Sequence, residues 1–261
     1  MRARIFQVDA FASKLFTGNP AAVMPLDYLP EPTLMQAIAE ENNLSETAFI
    51  APEGADYRIR WFTPKNEVPL CGHATLASAA VVMERLEPGR ASVVFHSASG
   101  PLTVKRSPKG YVMDFPARHA TPVARPRDLA QAIGADPLDV VADDVNYLAR
   151  LNDADAVRNL RPDIAAIATL DRKGVIVTAQ GTGDYDFVSR YFAPAQGVPE
   201  DPVTGSAHCA LAPYWAAILG KSAFRAFQAS RRGGEVECRY SGGRVELTGT
   251  CVFYLEGQSQ L

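Results

Sequence analysis

The sequence predicts an α+β protein of two similar lobes, each a strongly curved, mostly antiparallel sheet wrapped round one buried helix. Three observations predict it. The segment D-Y-R-I-R-W-F-T-P-K-N-E-V-P (56–69) matches D-F-V-S-R-Y-F-A-P-A-Q-G-V-P (186–199) at a constant offset of 130 residues, half of the 261-residue chain. After three extra residues the match resumes, with Gly72-His73-Ala74 over Gly205-Ser206-Ala207. Self-similarity at a fixed offset marks one unit used twice. Finally, A-T-L-A-S-A-A-V-V-M (74–83) is apolar or small at almost every position. A helix apolar all round is buried all round, and a strongly curved sheet can wrap it. The expected lobes are 1–116 and 117–261, joined in the proline-rich segment 116–127, and exchange of a terminal strand between them is allowed.

Residues 4–11, R-I-F-Q-V-D-A-F, alternate and are rich in β-formers, which predicts a first strand. Thr17-Gly18-Asn19-Pro20 is a turn into A-A-V. From Pro32 to Asn42 a helix is expected, with Leu34, Met35 and Ile38 on one face, Pro32 near its first position and Asn42-Asn43 as its stop. Thr47 to Ala51 follows as a strand with Ser45-Glu46 at its entrance, and Tyr57 to Phe62 alternates as a half-exposed strand. A loop (63–72) leads to the buried helix from His73 to Met83. Residues 91–115 then supply strands V-V-F, L-T-V and Y-V-M-D-F, with turns at Ser99-Gly100 and 107–110. The second half repeats this order. Asp128 to Ile133 is a short helix closed by Gly134, V-N-Y-L-A-R-L a strand, Pro162 to Ala168 a helix, and Val175 to Ala179 and Phe187 to Phe192 strands. Ser206 to Leu219 is the central helix, which Pro213 is expected to kink or interrupt. Phe224 to Leu255 gives strands with turns at 232–234 and 241–243.

A chain with 47% hydrophobic residues can bury a sizeable core. The formal net charge of −3, with no basic cluster larger than Arg231-Arg232, argues against nucleic acid and anionic membrane as partners. Asp9 falls where a signal peptide needs an unbroken apolar stretch, and no run approaches a membrane span, so a cytoplasmic protein is expected. Cys71, Cys209, Cys238 and Cys251 form no C-x-x-C, which is the pattern of reduced thiols. The histidines at 73, 96, 119 and 208 are not spaced like ligands on one face, and Cys71-x-His73 would need distant partners. No metal is therefore expected.

Each copy of the repeat carries a strand, a glycine-containing loop and a helix start. Such a start offers unpaired backbone N–H groups and the positive end of the helix dipole, a ready site for a carboxylate. Two copies suggest a small anionic substrate held between two lobes.

The segments G-N-P-A-A-V (18–23), N-L-S-E-T-A-F (43–49), L-C-G-H-A-T-L-A (70–77) and E-D-P-V-T-G-S-A-H (200–208) resemble the phenazine-biosynthesis PhzF family, in the same order and across both halves. The resemblance implies the diaminopimelate-epimerase-like fold, an active site in the cleft between the lobes, and a homodimer. It also implies an isomerase working by proton transfer, without metal or organic cofactor, as on trans-2,3-dihydro-3-hydroxyanthranilate. Glu46 falls on the family's general acid/base glutamate; a desolvated carboxyl can remove a proton at one carbon and return it at another. Gly72 with His73, and Gly205 with Ser206, match its anion-binding turns, where N–H donors can also steady an enol-like intermediate. Asp201 and His73 match residues that assist proton relay, and Asn19 and Ser45 are candidates for substrate binding. Residue by residue, plainer readings stay open: a solvated Ser-Glu-Thr, tight strand-to-helix connections, an Asp-Pro turn, and a structural His208. In related epimerases a cysteine precedes the glycine of each half. Here the two positions hold Cys71 and Thr204, and a threonine hydroxyl is no base near neutral pH, so the two-thiol mechanism lacks half its machinery. An epimerase or racemase using Cys71 and Glu46, and a non-catalytic metabolite-binding protein, are the alternatives.

Overall fold

A computed structural model describes residues 2–260 and divides the chain into two compact units, Met1–Asp114 with Thr248–Leu261, and Phe115–Leu247. The first unit runs β1 (Arg2–Ala10), β2 (Asn19–Pro25), α1 (Pro32–Asn42), β3 (Glu46–Glu53), β4 (Asp56–Phe62), β5 (Glu67–Val68), α2 (Gly72–Val81), β6 (Ser92–Ser97), β7 (Gly100–Ser107) and β8 (Gly110–Pro116). Strand β2 pairs antiparallel with β1 and parallel with β3, while β4 pairs antiparallel with β3 and β5 and parallel with β6. Strands β6, β7 and β8 continue as an antiparallel meander.

Every residue of α2 after Gly72 is buried, as a helix without a polar face requires. Its two hydroxyl residues are satisfied internally: Thr75 donates to the Cys71 carbonyl at 2.6 Å and Ser78 to the Ala74 carbonyl at 2.7 Å. A π turn over Val82–Leu86 takes the place of the expected regular helix to Met83. Helix α1 starts with Pro32 in its first turn and ends at a left-handed Asn43 (φ 47°), whose N–H reaches the Ala39 carbonyl at 3.1 Å. Met35 and Ala39, one turn apart, pack on Phe49 and Phe62 of the sheet. Leu34, expected on that face, is 42% exposed, because a neighbour in sequence points about 100° away round the helix.

The second unit contains β9 (Thr121–Pro122), α3 (Leu129–Ile133), β10 (Asp139–Ala142), β11 (Asn146–Arg150), α4 (Ala154–Asn159), α5 (Ile164–Ala168), β12 (Gly174–Gln180), β13 (Phe187–Ala193), β14 (Val198–Asp201), α6 (Gly205–Leu219), β15 (Ala223–Gln228), β16 (Gly234–Ser241) and β17 (Arg244–Gly249). Its pairings follow the first unit strand for strand. Strand β11 pairs antiparallel with β10 and parallel with β12, β13 antiparallel with β12 and β14 and parallel with β15, and β15 antiparallel with β16. The sequence reading omitted β10 and α4, both too short for a period to show. Asp153 and Asp163 cap α4 and α5 through the Ala156 and Ala166 N–H groups, so α5 begins two residues later than expected.

The last strand and Pro213 complete the fold. The last strand, β18 (Cys251–Gln260), pairs antiparallel with β1 along its whole length, from Arg2↔Gln260 to Ala10↔Cys251. The terminal segment therefore groups with the first unit, the kind of terminal-strand exchange that the sequence reading allows. Strand β9 pairs antiparallel with β10. Pro213 does not interrupt α6, which runs from Gly205 to Leu219. The Cys209 carbonyl, which proline cannot bond, instead accepts the Arg118 N–H at 2.9 Å. Among the described residues no helix is long and apolar enough to cross a membrane.

Candidate active site

Asn19 and Glu46 are the first residues of two adjacent parallel strands, β2 and β3, whose register pairs Ala21 with Glu46. Gly18 sets Asn19 in place. Its φ is +68°, and a Cβ there would lie 2.3 Å from the Ala10 carbonyl oxygen, so only glycine fits. On the other side, Arg60 of β4 grips Glu67 of β5 with two parallel hydrogen bonds, 2.7 and 2.6 Å. This fork fixes the short strand from which the chain turns into α2. Cys71 is the N-cap of that helix, in extended conformation (φ −142°, ψ 110°), and His73 stands in its first turn.

These elements bring four of the expected residues together. His73 Nε2 lies 3.1 Å from Glu46 Oε2, Asn19 Nδ2 lies 3.2 Å from His73 Nδ1, and Cys71 Sγ is 3.5 Å from the same nitrogen. The His73 and Glu46 side chains are 6% and 15% exposed, and the two atoms face each other without a well-aligned hydrogen bond. Burial pushes the Cys71 thiol up from its ordinary value and the Glu46 charge pushes it further, so at neutral pH it stays a thiol. For His73, burial pulls the imidazole down, but the Cys71 sulfur and the Glu46 carboxylate together raise it well above 6.5. A protonated thiol carries no net charge, so near neutral pH Glu46 is the one of these two groups that favours the imidazolium form. Among the described residues Glu46, Cys71 and His73 also form a potential metal-binding group, with one donor atom from each all within 4.8 Å of one another. The partner that Cys71-x-His73 lacked in sequence is Glu46.

The second unit builds a like turn at the start of α6. Thr204 is its N-cap in the same extended conformation as Cys71 (φ −119°, ψ 102°), and Arg190 grips Glu200 at 2.7 and 3.0 Å, as Arg60 does Glu67. Neither α2 nor α6 has a side-chain hydrogen bond at its N-cap, whereas α4 and α5 do. The Thr204 hydroxyl donates to the Asp201 carboxylate in a short hydrogen bond. Gln228, wholly buried, clamps this turn: its Nε2 donates to the Asp201 carbonyl at 2.8 Å and to Thr204 Oγ1 at 3.1 Å, and its Oε1 accepts the Thr204 N–H at 2.9 Å. Sequence reasoning missed Gln228, which ends an ordinary strand and belongs to no motif. A Cβ on Gly205 would make only ordinary contact with Leu247, at 3.5 Å, so packing does not demand that glycine. Ser206 is exposed in the first turn of α6, and Ser45 is half-buried just before Glu46. His208 has a structural place: its Nδ1 bonds the Thr204 carbonyl at 2.8 Å, and burial lowers its pKa to about 4.

The family model for phenazine biosynthesis-like proteins (PhzC-PhzF) matches residues 8–257. The chain belongs to this family. An uncharacterized isomerase of Pseudomonas aeruginosa is 51% identical over the full length of both chains. A crystal structure of a PhzF-family phenazine biosynthesis protein from Enterococcus faecalis has a TM-score of 0.97 at 41% identity and covers 100% of each chain. A hydroxyproline epimerase from Agrobacterium vitis, solved with trans-4-hydroxy-L-proline, has a TM-score of 0.63 at 12% identity, covering 98% of this chain and 92% of that one. That likeness concerns the fold alone, and the fold is the epimerase-like one that the PhzF motifs implied.

Proposed function

We propose that this isomerase moves a proton within a small cyclic or amino-acid-like carboxylate, as in the isomerisation of trans-2,3-dihydro-3-hydroxyanthranilate, with Glu46 as both base and acid. The observation that carries the reading is the little-exposed Glu46 carboxylate 3.1 Å from His73 Nε2, at the start of a helix with no side-chain hydrogen bond at its N-cap. Glu46 takes a proton from one carbon of the substrate. The electron pair left behind shifts along the conjugated system, and return of the proton at another carbon moves the double bond. His73, beside Asn19 and 3.1 Å from Glu46, is the group that positions the carboxylate and, as an imidazolium, can hand it a proton. The first-turn amides of α2, beginning at Gly72, are the proposed donors to the substrate carboxylate. Asp201, Gly205 and Ser206 enter the proposal through the family motif and are tested on their own, as is Ser45. The reaction as proposed asks for no metal or organic cofactor.

The epimerase alternative needs Cys71 as a thiolate, and its burial beside the Glu46 charge acts against that form. The test is incubation in D₂O with trans-2,3-dihydro-3-hydroxyanthranilate and with a panel of cyclic amino acids, reading deuterium position by NMR. Double-bond migration that Glu46→Gln slows about 10²–10⁴-fold is expected, with Cys71→Ala retaining turnover and Asp201→Asn impairing it. Exchange confined to a stereocentre and lost in Cys71→Ala would transfer the assignment to the thiol mechanism.

A further inference from the structure

We propose that Glu46, Cys71 and His73 are also the ligands of a zinc site, and that zinc held there silences the enzyme. Binding follows from the ligand set; the silencing rests on the acid/base role proposed for Glu46. A thiolate, an imidazole and a carboxylate are the three side-chain types that zinc takes, and three protein ligands leave a fourth position for water. Tetrahedral zinc sets neighbouring ligand atoms about 3.3–3.7 Å apart. Here one donor from each side chain lies within 4.8 Å of the others, with Glu46 Oε2 and His73 Nε2 already at 3.1 Å.

A second observation points into the same space. His73 is 5% exposed, and its Nε2 has no aligned hydrogen-bond partner although it faces the carboxylate. Its other nitrogen, Nδ1, lies 3.2 Å from Asn19 Nδ2 and 3.5 Å from Cys71 Sγ, so the thiol has to swing toward Nε2 to share an ion with Glu46. The backbone carrying Cys71 and His73 is fixed, since the Cys71 carbonyl accepts from both the Thr75 N–H and its hydroxyl. Zinc binding displaces the thiol proton of Cys71 and the imidazolium proton of His73, so affinity rises with pH. The ion then occupies the carboxylate oxygen that would take the substrate proton.

The experiment titrates zinc, and cobalt as its spectroscopic substitute, into chelator-treated full-length protein without substrate. Expected are one ion per chain and a thiolate-to-cobalt charge-transfer band. Cys71→Ser should abolish the band, and Cys71→Ser and Glu46→Gln should each weaken zinc binding about tenfold or more. Zinc should also protect Cys71 from alkylation in the unmodified protein, read by peptide mass, a test that needs no variant to fold. A cobalt band that survives in Cys71→Ser, or a Cys71 alkylation rate unchanged by zinc, overturns the assignment. Because binding is read without substrate, these outcomes leave the proton-transfer proposal standing; zinc that binds without slowing turnover would instead count against the role given to Glu46.

Discussion

Glu46→Gln removes a charge while keeping the side chain's size, so it measures what the carboxylate contributes to its buried neighbour. At 3.1 Å and an effective dielectric of about 20, the attraction between Glu46 and a protonated His73 is about 5 kcal/mol. Both side chains are little exposed, so water screens the pair weakly. Removing one member of a buried pair costs about 3–5 kcal/mol when the other charge must stay. His73 can shed its proton instead, which keeps the loss below that range. The sign follows from linkage. A histidine whose folded pKa stands above its unfolded value of 6.5 contributes its full stabilisation below 6.5 and loses it as pH rises through the folded value. The variant should therefore fall furthest behind the parent at about pH 6, by a resolvable drop in melting temperature, and the gap should close as the solution becomes alkaline. Scanning calorimetry of both proteins across pH makes the comparison. A deficit of the same size at every pH, or no deficit near pH 6, would refute the ion pair.

Gln228→Ala removes the acceptor of the buried Thr204 N–H, so chemical denaturation should show a loss of about 1–3 kcal/mol; an unchanged midpoint would count against the clamp. His208 behaves oppositely to His73. Its folded pKa of about 4 lies below 6.5, so its contribution is present above 6.5 and is lost as pH falls toward 4, by about 3 kcal/mol in all. His208→Asn should flatten the stability profile in that window, and a profile as steep as the parent's would sink the assignment. Leu15, Phe16, Tyr254 and Leu255 are exposed, with Phe16 and Tyr254 in edge-to-face contact at 5.6 Å. This apolar surface is the proposed homodimer interface, so light scattering should report a dimer that Tyr254→Glu dissociates; a monomeric parent protein would end the proposal.

What the chain reveals by itself is whatever physics keeps local. The duplicated arginine–proline pattern announced the repeat that the strand pairings of the two units reproduce, and the unbroken apolar runs marked α2 and α6 as buried. Helix α2 is, and so is α6 from Ala207 to Ala212, but beyond Ala212 only Trp215 of α6 is buried. Asn43 and Gly134 stopped their helices where left-handed residues are cheap. Short elements such as β10 and α4 escaped because a handful of residues carries no readable period. Three features were decided only by tertiary structure. Strand β18 could have joined any open edge by its alternation, and pairing with β1 is a long-range choice. Cys209 found a donor for its freed carbonyl in Arg118, far away in sequence, so Pro213 sits in an unbroken helix. Glu46 and His73, 27 residues apart, meet because β3 and α2 begin at the same place in the first unit, and burial there fixes their charges. Residue type and spacing are written in the chain, but desolvation and Coulomb energy depend on distances that exist only after folding.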